Sequence, residues 1–237
     1  MSQKPLYSKP VVINSIAHRD LKVAPIKNFN YAKAFNSSVL LCQEFLEAAK
    51  YYPIVFSLAG EVLTPVAMLG INDNVYVDKD GKWKEGSYIP AFVRRYPYIL
   101  AEGLSQDGSL TVCIDADYEG FNAEEGERVF TDEGEKTPTL ERAVQFLTMY
   151  QNQFEVTKMF VNTIKDLEIF RTVDANVTFP DGQTLTIKNL WMVDEQKMLK
   201  LPDADLLNLV RRGYLAWIYA HLYSMTNFTR IPAGAGA

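Results

Sequence analysis

From Pro202-Asp203 to about Phe228 the chain carries a helical pattern that is apolar on two adjoining faces. Leu207, Val210, Tyr214, Ile218, Leu222 and Met225 form one face, and Leu206, Leu209, Gly213, Trp217, Ala220 and Ser224 form the next. A helix apolar over so much of its circumference cannot lie on a surface, so several other elements must enclose it. That requirement rules out an open or purely extended fold and asks what the rest of the chain offers as a partner.

Most of the partner reads as β. Ile54 to Leu58 and Val66 to Gly70 flank a Gly60 turn. Asn72-Asp73-Asn74 turns into Val75-Tyr76-Val77, and Lys79-Asp80-Gly81-Lys82 turns again before Trp83. Tyr96 to Leu100 and Leu110 to Ile114 flank Gln106-Asp107-Gly108, a further hairpin signal. A last hairpin is expected from Val173 to Phe179 and Thr184 to Ile187, turned by Pro180-Asp181-Gly182 and extended by Leu190 to Val193. Two more helices are expected. Asn36-Ser37-Ser38 offers capping oxygens before a run to Lys50, and Thr137-Pro138 opens a run with apolar residues at helical spacing to about Leu167. The class is therefore α+β: an antiparallel sheet over about 53–114, with a second hairpin over about 173–193, packed on three main helices near 38–50, 138–167 and 203–228.

At 237 residues this fits a single domain. Residues 1–35, punctuated by Pro5, Pro10 and Pro25 with short strands near 11–13 and 21–23, form an extended N-terminal segment. The stretch Asp115 to Glu135 is acidic and glycine-punctuated and reads as a surface excursion; 231–237 reads as a flexible tail. A formal net charge of −5 disfavours general binding to nucleic acid or to an anionic membrane surface. No secretory signal opens the chain, and the uncharged stretch Gly213 to Tyr223 is too short to span a bilayer, so a cytoplasmic location is expected. Cys42 and Cys113 sit among apolar neighbours as buried thiols.

The residue types that carry chemistry are few. Asp115-Ala116-Asp117-Tyr118-Glu119-Gly120 has oxygens at alternate positions, but Gly126 stands where a calcium loop needs its bidentate Glu, so it reads as a solvated loop. With two Cys and two His, and no C-x-x-C or H-x-x-x-H pair, no metal site and no cofactor are expected; no P-loop or G-x-S-x-G occurs either. His18 lies in polar His18-Arg19-Asp20, beside an acid able to orient it, whereas His221 lies inside the buried helix and reads as a neutral core imidazole. The strongest binding candidates are Arg94 and Arg95, set in the block from Tyr88 to Tyr98 with Tyr88, Tyr96 and Tyr98 around them. Adjacent guanidinium groups repel and need many acceptors, and aromatic faces shield them. Bonded to carboxylates beneath the tyrosines, the pair would lock sheet to helix. Exposed, it would clamp an anion or dock a partner.

Several blocks resemble the bacterial SapC family, named for a surface-layer locus. They are His18-Arg19-Asp20-Leu21, Tyr52 to Phe56, Pro65 to Gly70, Asp80 to Trp83, Tyr88 to Tyr98 and Gly213 to Ser224, in the family's order over nearly the whole chain. The resemblance implies a link to surface-layer, cell-envelope or transport machinery and brings no reaction with it. Together with the absence of a catalytic motif, it leads to the expectation of a non-enzymatic cytoplasmic accessory protein that binds a protein partner or a small anionic ligand. The alternative is an enzyme acting on a carboxylate- or phosphate-bearing substrate, with Arg94 or Arg95 as clamp and His18 or His221 as acid or base.

Overall fold

The structure, a computed structural model, describes residues 6–101, 111–122, 124–178 and 184–231. Three short strands open it: β1 (Pro10–Val12), β2 (Lys22–Val23) and β3 (Ser37–Val39). A 3-10 turn at Cys42–Glu44 runs into α1 (Phe45–Ala48), followed by the hairpin of β4 (Ile54–Ala59) and β5 (Val62–Met68). Then come α2 (Ala91–Arg94), β6 (Tyr98–Ala101), β7 (Thr111–Asp115) and β8 (Glu127–Arg128). α3 (Pro138–Asp166) leads to the long pair β9 (Phe170–Thr178) and β10 (Thr184–Val193). Three helices finish the chain, α4 (Glu195–Met198), α5 (Asp203–Arg211) and α6 (Tyr214–Ser224), closed by a 3-10 turn at Met225–Arg230.

The class is α+β, as the pattern predicts, but the strands from 53 to 114 do not share one sheet. A five-stranded antiparallel sheet has the order β3-β5-β4-β10-β9, and a separate three-stranded sheet has the order β1-β7-β6. The turns at 106–108 and 180–182 lie outside the described residues. The two-residue loop Gly60-Glu61 closes β4 on β5, with Gly60 at φ +61°, where a side chain would be strained. Val75 to Val77 forms only a bridge from Val77 to Trp83, because Asn74 and Lys82–Lys84 draw its backbone into turns.

Four further expectations are corrected. The region 38–50 begins as β3, paired Ser37 to Met68 and Val39 to Val66, and is helical only from Cys42 to Ala48. Ladder hydrogen bonds to β5 outcompete the helix propensity of Val39 to Leu41. The last helix is two helices, since Gly213 adopts φ +74° between α5 and α6. The acidic excursion is anchored: β8 pairs with β2, Val129 and Phe130 are buried, and Asp115 is 1% exposed. The tail does not begin at Ile231, which packs with Val55, Val66 and Leu190; residues 232–237 lie outside the described ones.

Helix α3 spans about 43 Å at 1.5 Å per residue and joins two cores. Its first half puts Leu140 and Leu147 with Tyr98, Ile114, Val129 and Phe130 beside the small sheet. Its second half puts Phe160, Val161 and Ile164 with Phe45, Ile54, Phe56 and Ile218 on the large sheet. Alternation along β4 turns Val55 to the opposite face, which Met225, Phe228 and Ile231 cover. No helix among the described residues is long and apolar enough to cross a membrane.

Candidate functional site

The arginine block forms a short helix because Pro90, with φ −55° and ψ 143°, ends the extended approach and starts α2. What holds α2 in place is Glu44, a residue that composition and spacing do not single out. Its carboxylate, 6% exposed, accepts the Leu41 amide at 2.9 Å, the Ala91 amide at 2.7 Å and the Tyr88 hydroxyl at 2.7 Å. Burial raises its pKa, and these donors, with the charge of Arg94, work against that rise.

Arg94 reaches this carboxylate only through Tyr88. Its Nη2 donates to the Tyr88 hydroxyl at 3.3 Å and its Nε to the Ile89 carbonyl at 3.0 Å, and the guanidinium lies 5.8 Å from the Tyr88 ring and 5.3 Å from the Phe146 ring. Arg95 points into a different setting. Its guanidinium stands 4.2 Å from the Phe92 ring centroid, 4.8 Å from Tyr150 and 5.7 Å from Tyr7, so faces from three segments shield it. Its charge and a hydrogen bond oppose the burial that pushes the Tyr7 phenol upward. Among the described residues, neither Arg94 nor Arg95 forms an ion pair, which departs from the expected carboxylate network beneath the tyrosines. Aromatic faces take the place of the carboxylates.

Arg94, Arg95, Tyr96 and Tyr98 line a single cavity of about 380 Å³ beside the first half of α3. Arg142 joins them from α3. The wall thus holds three arginines and one carboxylate, Glu127, which Arg142 meets at 3.4 Å while also donating to the Thr139 hydroxyl at 3.1 Å. Tyr88 stands behind Arg94 and is not part of this lining. Arg142 and Phe146, one turn apart on α3, complete the setting with Tyr150 a further turn on. Which basic residue on that helix would face the arginine block was not legible without the packing.

A larger cavity of about 550 Å³ adjoins, sharing Ala24, Pro25 and Tyr96, and its walls include Tyr31, Tyr118, Asp115 and Asp117. Tyr96 stacks on Tyr31 at 4.2 Å and donates to Asp115 at 3.3 Å. Asp115 also accepts the Ser8 and Lys9 amides at 3.0 and 2.9 Å, and these bonds hold its pKa below the ordinary aspartate value despite its burial. It anchors the N-terminal segment; the reading of this stretch as a solvated loop does not describe it.

The two histidines are not brought to the arginines. Neither lines the 380 Å³ cavity. His18 is half-buried, with Nδ1 accepting the Asn14 amide at 3.2 Å, and its neighbour Asp20 pairs with Arg128 at 3.2 Å. His221 is fully buried and both ring nitrogens are engaged. Nε2 accepts the Val193 amide at 3.1 Å and Nδ1 donates to the Ile54 carbonyl at 2.7 Å. Burial lowers its pKa to about 4, so it is neutral, as expected of a core imidazole. Cys42 and Cys113 are both buried, and burial raises the Cys42 thiol to about 11.

No curated protein and no solved structure matches the chain. The SapC family model matches residues 13–231. That span holds the His18 segment, the arginine block on α2 and the helix that carries His221, and on it rests the assignment: the chain belongs to the SapC family.

Proposed function

We propose that this chain is a non-enzymatic accessory protein that recognises an anionic group, on a protein partner or on a small ligand, through the arginine block. A cytoplasmic role beside surface-layer, cell-envelope or transport machinery is the setting that the family name and the expected location favour. One observation carries the reading: Arg94 and Arg95 share a cavity with Arg142, in an acidic chain, and no described carboxylate pairs with either member of the block. Guanidinium groups left over from internal pairing and backed by aromatic faces suit bidentate oxyanion recognition. The imidazoles support binding rather than turnover, since His221 is committed to two backbone groups and neither histidine lines the cavity.

Native mass spectrometry of the chain purified from its own cells tests this. A bound anionic species or an acidic partner is expected on the parent and is lost when Arg95 is replaced by Lys. An unchanged bound species in Arg95→Lys and Arg94→Lys, or only the bare chain in the parent, contradicts the proposal. The same variants separate structure from recognition. Arg95→Lys loses planar stacking on Phe92 and Tyr150 and is expected to cost about 1–2 kcal/mol, or roughly 2–8 °C in melting temperature. Arg94→Lys, at an exposed position, is expected to cost about 0.5 kcal/mol or less. Equal melting of both with the parent contradicts the stacked role of Arg95.

A further inference from the structure

The cavity of about 550 Å³ beside the arginine block has the opposite charge. Its wall carries Asp115, Asp117, Glu119 and Glu125 against one cation, Lys27. Lys27 is bonded to Glu125, so these two cancel. Among the described residues no cation pairs with the other three carboxylates. Asp115 is buried and met by neutral donors, whereas Asp117 and Glu119 are exposed. Asp117 accepts the Ser8 hydroxyl at 2.9 Å, and no described donor reaches Glu119. A second observation is independent of the acids. Each phenol in the wall spends its proton inward: Tyr31 on the Val93 carbonyl at 3.2 Å, Tyr96 on Asp115 at 3.3 Å and Tyr118 on the Ala24 carbonyl at 2.9 Å. A hydroxyl has one proton, so these oxygens have only lone pairs left to offer a guest. The wall is rich in acceptors and calls for a donor. Among the described residues no three His, Cys, Asp or Glu side chains come together as metal ligands, so the charge is spread around something larger than an ion.

We propose that this cavity binds a primary ammonium carried on a short apolar stem, with Asp117 and Glu119 as its acceptors. The inference goes beyond the reading of the arginine block and does not depend on it. A primary ammonium brings three donors and no acceptor, which is what the wall lacks. Aromatic rings also stabilise such a charge, and half-buried Tyr31, Phe35 and Tyr118 supply them. The stem meets Leu6, Pro25 and Ala34 in the same wall. A volume of about 550 Å³ lies within the range of small-ligand cavities and admits a free amine or the side chain of a lysine presented by a partner.

Calorimetric titration of the full chain at fixed ionic strength tests the proposal with butylammonium, the methylamide of Nα-acetyl-lysine, tetramethylammonium and butan-1-ol. The first two are expected to bind, and the tighter of them identifies the source as a free amine or a lysine side chain. Tetramethylammonium has the charge but no N–H, so it should bind roughly tenfold more weakly, and butan-1-ol should not bind. Asp117→Asn and Glu119→Gln, both at exposed positions, should each lower affinity roughly threefold and leave melting within about a degree of the parent. Ala34→Trp, exposed in the wall, fills the cavity and should abolish binding in a chain that melts like the parent. Phosphate binding at the arginine block should be unchanged in all three variants, so the two sites stand or fall separately. The proposal is overturned if neither ammonium binds, or if tetramethylammonium or butan-1-ol matches butylammonium. Parent-like affinity in the doubly substituted Asp117→Asn, Glu119→Gln chain or in Ala34→Trp overturns it as well.

Discussion

Replacement of His221 by Ala is expected to lower stability by about 4 kcal/mol, or on the order of 10 °C in melting temperature. The size follows from where the imidazole sits. Strands β4 and β10 pair at Trp191 and Phe56, and two residues further along Val193 stands opposite Ile54. There the ladder bond is replaced by the ring: the Val193 amide donates to Nε2, and Nδ1 donates to the Ile54 carbonyl. Ser224, one turn on, accepts the Ile54 amide at 2.9 Å, so α6 satisfies both backbone groups of that residue. The ring also meets Phe56 edge to face at 5.1 Å. A methyl group in place of the ring would leave two buried backbone groups unpaired and a cavity in the main core. Denaturant unfolding measures this, and a loss under about 1 kcal/mol contradicts the joint.

The same residue sets an acid limit. Its folded pKa, about 4, lies below the ordinary histidine value of 6.5, so the unfolded chain takes up the proton first. Stability is complete above about pH 6.5 and falls as pH drops toward 4, by about 3 kcal/mol in all. Asp115, with its pKa lowered, adds a loss in the same direction at lower pH, below the ordinary aspartate value. Glu44, with its pKa raised, has the opposite sign and cannot cause either loss. Unfolding midpoints at pH 7 and pH 4.5 should differ in the parent and converge in His221→Gln. A parent equally stable at both values contradicts the assignment.

Replacement of Glu44 by Ala is expected to cost about 3–5 kcal/mol, because it strips the acceptor from two buried amides and a tyrosine hydroxyl together. Glu44→Gln keeps the shape but turns a donor toward one of those amides, and about 2 kcal/mol is expected. Beyond stability, α2 loses the contact that starts it at Ala91 and Arg94 loses the orientation of Tyr88. Anion binding should therefore weaken in Glu44→Gln at temperatures where the chain remains folded. Urea unfolding of both variants decides: parent-like midpoints would show that the carboxylate is not what seats the arginine block.

Helical spacing opened by Thr137-Pro138 located α3 nearly to its ends, and turn residues located the β4–β5 hairpin, because both elements are fixed by local chemistry. The burial of His221 was equally legible from the apolar faces around it. The split into two sheets was not, since Tyr98 and Ile54 carry the same alternation and only the long-range pairing of β1 with β7 and of β4 with β10 separates them. For the same reason β3 hid inside a helix-favouring run whose fate is decided by β5. At the site, Arg94 and Arg95 stood out as residue types in a block. Their partners did not: Glu44, Tyr7, Arg142 and Tyr150 come from distant segments, and each reads as an ordinary surface or core residue in its own neighbourhood. An unpaired buried donor such as Arg95 Nε has no sequence signature at all.

The nitrogen-15 spectrum of the arginine side chains, recorded while inorganic phosphate is added to the full chain at fixed ionic strength, reports on the arginine block directly. The resonances of Arg94 and Arg142, both exposed and both in the cavity wall, are expected to move toward the position of charge-assisted hydrogen bonds. Signals of both that stay in place at saturating phosphate contradict the arginine block as an anion site.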